Sequence, residues 1–188
     1  MMSVRVFVVN NYGQYCHLIF RTLRDLGAET KIVRNDLSVE ELEAMEPDGI
    51  VLSGGPSLER SGRCEEYVKM MNVPILGICL GHQIIAKAYG GEVRRGKQGG
   101  YAEVIVEILE EDDIFRGLPK YIRTWASHSD EVAVLPENFE ILARSEICEI
   151  EAMRHRDKDI FGIQWHPEVA HTERGEDVFR NFMRICRI

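Results

Sequence analysis

The chain has 188 residues, 45% of them hydrophobic and 29% charged, with a formal net charge of -8 at pH 7. That length supports one compact core without metals or disulfides, so a single domain over 1–188 is expected. No apolar run approaches the roughly 18 residues of a membrane span, and the acidic balance argues against a nucleic-acid partner.

In chain order, the β-branched run at 4–9 predicts a strand, followed by a helix to about 26, a strand at 30–34 and a helix near 38–45. A strand at 49–53, a helix around 63–71, a strand at 74–78 and a helix from about 80 to 89 continue the alternation. Such alternation implies a parallel sheet with helices on both faces. Beyond Gly91 the candidates become closely spaced strands at 102–109, 121–127, 131–135, 140–144, 149–155 and 159–165, which suit antiparallel pairing. A last helix spans 173–186, where Val178, Phe179, Phe182, Met183 and Cys186 recur at helical spacing. The short apolar N-terminal run lacks a small-residue cleavage site and reads as a strand of a cytoplasmic protein.

The five cysteines form no C-x-x-C pair, which argues against a disulfide framework or a zinc knuckle. Cys79 stands out among them. It lies in LGICLGHQ between a buried-type strand and a helix, with Gly77 two residues before it and Gly81 two residues after. A nucleophile on a sharp strand-to-helix turn needs small neighbours there, because side chains would collide as the backbone doubles back. The turn also sets the sulfur at a helix N-terminus, which favours a thiolate. Alternatively, Cys79 is a small buried filler and the glycines serve helix packing. Cys79 and His82 could form half a metal site, but the other ligands are not visible and no metal is expected.

QWHPEV at 164–169 follows a strand candidate. Residues two apart in an extended chain point the same way, so Glu168 can approach one ring nitrogen of His166 while the other faces a nucleophile. Taken alone, H-P-E reads more readily as a turn with a surface histidine. Joined to the elbow, it completes a Cys79, His166 and Glu168 relay.

GICLGHQ with a later QWHPE resembles the class I (triad) glutamine amidotransferases over essentially the whole chain. The resemblance implies a flavodoxin-like, doubly wound, mostly parallel sheet with added antiparallel strands, and hydrolysis of glutamine to glutamate and ammonia. It implies an oxyanion hole from the amides of Gly55 and Leu80, and substrate-holding roles for Gln83, Gly100 and Tyr101. Gln83 reads nearly as well as a solvated helix residue; a mere tight turn at Gly54-Gly55-Pro56 is the less favoured alternative there.

Within the family, VLSGGPS, WASHSDEV and HPEVAHTERG look like the amidotransferase part of GMP synthases. That likeness implies a subunit without cofactors of its own, serving a separate ATP-pyrophosphatase subunit that carries ATP and Mg. Anthranilate and aminodeoxychorismate synthase glutaminases are an alternative, although they typically carry S-P-G-P where this chain has Ser53-Gly54-Gly55-Pro56. A γ-glutamyl hydrolase acting alone and a non-catalytic flavodoxin-like module are the others. His128 and Asp130, in polar text between two expected strands, and His171 and Thr172 before the last helix, are candidate partner-facing residues. An ordinary turn at 127–130 and a helix N-cap at Thr172 would also account for them.

Overall fold

The computed structural model describes residues 2–187 apart from Asp112, and within that range leaves aside the side chains of residues 97–102. One nine-stranded sheet runs through the molecule in the order β2-β1-β3-β4-β9-β8-β7-β5-β6. Its parallel half comprises β1 (Val6–Asn10), β2 (Ile32–Arg34), β3 (Gly49–Leu52), β4 (Ile75–Ile78) and β9 (Ile160–Ile163). This order is that of flavodoxin-like sheets, in which ligands sit beyond the carboxyl ends of the strands. The helices α1 (Cys16–Asp25), α2 (Val39–Ala44), α3 (Cys64–Met70), α4 (Leu80–Ala88) and α5 (Gly175–Cys186) cover it.

Successive residues of β1 divide between two apolar layers, as the period of a strand requires. Val6 and Val8 join Ile19 and Leu23 of α1 and Phe179 and Phe182 of α5, while Phe7 and Val9 join Leu42, Tyr67 and Ile84 of α2, α3 and α4.

The antiparallel half comprises β5 (Glu92–Ile108), β6 (Tyr121–Val134), β7 (Phe139–Arg144) and β8 (Ala152–His155). β5 starts ten residues before the expected strand at 102–109, and 121–127 and 131–135 are one strand rather than two separated by a turn. Pairing of β5 with β6 across Arg95↔Asp130 and Gly100↔His128, with a bulge between them, holds the polar stretch 127–130 extended.

The outer edge of β6 does not end the sheet. The His166 N–H donates to the Trp125 carbonyl at 3.0 Å and the Glu173 N–H to the Arg123 carbonyl at 2.8 Å. The five strands from β9 to β6 therefore curl until the last meets the segment that continues the first, and part of an aggregation-prone edge is covered. Among the described residues no helix is long and apolar enough to cross a membrane.

Candidate active site

Cys79 follows the last residue of β4 and precedes the first of α4, with φ 55° and ψ -104°. A non-glycine residue there is strained at a cost of order 1–3 kcal/mol, held in place by its surroundings. The flanking glycines explain how the chain accommodates the turn. A Cβ at Gly77 would lie 2.5 Å from the Gly81 carbonyl group, and one at Gly81 would overlap the Leu52 backbone. The Cys79 N–H is anchored on the Ile163 carbonyl at 2.8 Å, tying the elbow to β9.

That same strand delivers the histidine. His166 and Glu168 lie two and four residues past Gln164 in the segment after β9, and the His166 Nδ1 meets Glu168 Oε2 at 3.2 Å. Both residues are buried. Burial opposes the charged imidazole, but the Glu168 carboxylate and hydrogen bonding with Cys79 outweigh it, so the His166 pKa stands well above the usual histidine range. The Tyr15 ring packs edge-on against His166 with centroids 5.0 Å apart. Gly54 fits between the two reactive groups: a Cβ there would stand 3.2 Å from His166 Cε1 and 3.6 Å from the Cys79 Cβ.

Two cavities open beside Cys79. One, of about 470 Å³, is lined by Gly55, Leu80, Gln83, His128 and Asp130 among others; the second, of about 290 Å³, by Tyr12, Tyr15, Gly54 and His166 among others. Cys79, Gly55, Pro56 and Ser127 line both. Together they suit a ligand of amino-acid size next to a thiol. A larger hollow of about 750 Å³ against Glu103, Tyr121 and Arg144 contains none of these residues and plays no part in this arrangement.

The structure thus brings Cys79, His166, Glu168, Gly55, Leu80 and Gln83 to one place. The Gln83 amide nitrogen is already engaged, donating to the Asp130 carbonyl at 2.9 Å and to Gln164 Oε1 at 3.3 Å, so it is not a solvated helix residue. His128 turns its Nδ1 to the Asp130 carbonyl at 2.8 Å, and burial lowers its pKa against that bond. The roles expected at Gly100 and Tyr101 fall outside the described residues as far as side chains are concerned; their backbones pair with His128 and Ser127.

Thr172 does not cap α5, and its side chain turns inward. It is buried, its hydroxyl donates to the His166 carbonyl at 2.7 Å and accepts from the Trp125 N–H at 3.0 Å. The helix starts later, after Arg174 in a left-handed conformation at φ 57°. His171 remains exposed, its ring 5.0 Å from that of Trp125. His82 points into the core, with Nε2 on the Ile150 carbonyl at 3.2 Å and its pKa driven by burial to about 3, so it forms no pair with Cys79. Among the described residues no three His, Cys, Asp or Glu come together as a metal site.

Sequence reasoning missed Ser127 and Gln164. The Cys79 Sγ lies 3.6 Å from the Ser127 carbonyl, and the Gln164 amide nitrogen lies 3.7 Å from Sγ. Gln164 was within reach of the same two-residue spacing that linked Glu168 to His166. Also missed was the support under Gly54-Gly55: Asn11 donates from its N–H to Ser53 Oγ at 2.9 Å and from its side chain to the Ser53 carbonyl at 3.0 Å.

A family model described as glutamine amidotransferase class-I matches residues 7–186. The chain belongs to the class-I glutamine amidotransferases. Among curated members, it is 62% identical over 186 residues to a protein of Methanosarcina barkeri named as a subunit of glutamine-hydrolyzing GMP synthase, covering 99% of this chain and 98% of the relative. The protein of the same name from Methanococcoides burtonii is 60% identical over the same length, with the same coverage. A crystal structure named for a GMP synthase subunit of Thermoplasma acidophilum superposes with a TM-score of 0.94 at 40% identity, covering 100% of this chain and 96% of that one. The amidotransferase fold expected from the elbow and the H-P-E is the fold observed.

Proposed function

We propose that this amidotransferase hydrolyses glutamine to glutamate and ammonia through a thioester on Cys79, and that the ammonia passes to an ATP-pyrophosphatase subunit that aminates XMP to GMP. The observation that carries the chemistry is the convergence of Cys79, on a strained elbow, with the buried His166–Glu168 pair at 3.2 Å. Support for the acceptor is the extent of similarity to proteins named as subunits of glutamine-hydrolyzing GMP synthase.

With Nδ1 held by Glu168, the other ring nitrogen of His166 holds the proton given up by the Cys79 thiol, and the resulting thiolate attacks the carboxamide carbon. Negative charge then grows on the carboxamide oxygen beside Gly55 and Leu80, whose N–H groups are the donors proposed for it. The imidazolium returns its proton to the departing nitrogen, ammonia leaves and a γ-glutamyl thioester remains. His166 next accepts a proton from the attacking water, and the tetrahedral species collapses to glutamate and free thiol. A histidine held charged above its usual range suits the acid step. Gln83, Gly100 and Tyr101 are assigned to the amino-acid end of glutamine, and His128, Asp130 and His171 to the face turned toward the partner. ATP and Mg belong to the partner in this reading.

The test mixes the purified chain with a GMP synthase ATP-pyrophosphatase subunit, XMP, ATP, Mg and glutamine. GMP should form, and glutaminase activity should rise when the loaded partner is present. No GMP from glutamine, in a mixture that makes GMP from added ammonia, would refute the pairing.

A further inference from the structure

Gln164 is buried on the continuation of β9, where its amide meets the Cys79 sulfur. The polarity of that contact is set from elsewhere. The Asp130 carbonyl can only accept, so the group that Gln83 turns toward it at 2.9 Å is its NH2. The same NH2 lies 3.3 Å from the Gln164 side chain, which must therefore present its oxygen there. Only the Gln164 NH2 is left to face the sulfur, at 3.7 Å. The sulfur also lies 3.6 Å from the Ser127 carbonyl, an acceptor that suits only the protonated thiol.

We propose that Gln164 is the fixed donor that stabilises the Cys79 thiolate, its direction dictated through Gln83 by the backbone carbonyl of Asp130. When the thiol proton moves to His166, the bond to Ser127 is lost, whereas the N–H of Gln164 still points at sulfur and its bond becomes charge-assisted. The carbonyl and the amide thus hold opposite protonation states of one atom, and the chain can be poised without a cation against sulfur other than the imidazolium. The titratable groups around this amide are His166 with Glu168 on its own segment, His82 on α4, His128 and Asp130 on β6, and Glu151, whose carbonyl accepts the Gln164 N–H. The inference rests on Cys79 being the nucleophile of the proposed function.

The test is the pH dependence of iodoacetamide alkylation at Cys79, followed by mass spectrometry of its peptide in the full chain. Gln164→Met keeps the length of the side chain and removes the N–H. Alkylation near neutral pH should slow about tenfold, the curve should move to higher pH, and kcat should fall while KM for glutamine holds. Gln83→Met, which frees the Gln164 amide to turn, should slow alkylation by a smaller factor. Should Gln164→Met fail to fold, the Gln83→Met curve decides. Alkylation curves that superimpose on that of the native chain overturn the inference. A native chain that alkylates at Cys79 but never hydrolyses glutamine, with or without the loaded partner, would instead overturn the proposed function.

Discussion

The Thr172 hydroxyl donates to the carbonyl of His166 at 2.7 Å while accepting from the Trp125 N–H, so one side chain ties the histidine's segment to the edge of β6. The placement of the imidazole against Cys79 therefore depends on the curled antiparallel strands as well as on β9.

Thr172→Val keeps the shape of the side chain and removes both bonds. Loss of the two buried hydrogen bonds made by this hydroxyl should cost about 1–3 kcal/mol of stability. Glutamine turnover should also fall several-fold as His166 loosens, which thermal melts and kcat measured together would register.

The elbow tolerates no Cβ at Gly81, where it would strike the Leu52 backbone. Gly81→Ala should destabilise the fold by roughly 1–3 kcal/mol. At Cys79, whose φ is 55°, glycine should be better accommodated than alanine. Cys79→Gly should thus melt above Cys79→Ala, although both lack the thiol.

The His166–Glu168 pair carries a pH signature. His166 has a pKa raised above its unfolded value, so the stabilisation it receives is complete below about 6.5 and is lost as pH rises through the higher folded value. Glu168→Gln removes the carboxylate charge. Its stability deficit should be largest below about pH 6.5 and shrink at high pH, and the alkaline limb of the glutaminase profile should move to lower pH.

Glu151 has a different sign. It is 1% exposed, and neither carboxylate oxygen has a hydrogen-bond partner of ordinary geometry among the described residues. Burial pushes its pKa up from 4.5 to about 7, nearby Ser145 and Cys148 offsetting part of the rise. A proton held by the folded state but not the unfolded one makes stability fall as pH climbs through that window. Glu151→Gln should flatten this fall and raise the melting temperature above neutral pH. Equal pH slopes for the two proteins would contradict it.

The parts legible in the sequence were those governed by local rules. Period-2 and helical spacing placed β1 to β4, α1 to α4 and the elbow, and the two-residue repeat paired His166 with Glu168. What escaped depends on pairing between distant segments. The polar text Ser127-His128-Ser129-Asp130 reads as a turn because nothing local reveals its partner on β5. The return of β6 to His166, and with it the place of Ser127 beside the thiol, follows from the curl of a whole sheet. At the last helix, Gly175 had no local signal either: a Cβ there would meet the Pro167 carbonyl, a contact made by the loop that carries the histidine.

The proposed mechanism requires a covalent bond from glutamine to Cys79. Rapid acid quenching during glutamine turnover, followed by peptide mass analysis, should find a γ-glutamyl adduct on the Cys79 peptide that disappears in Cys79→Ala along with glutaminase activity. Turnover that persists in Cys79→Ala, or an adduct carried by another cysteine, would contradict the account.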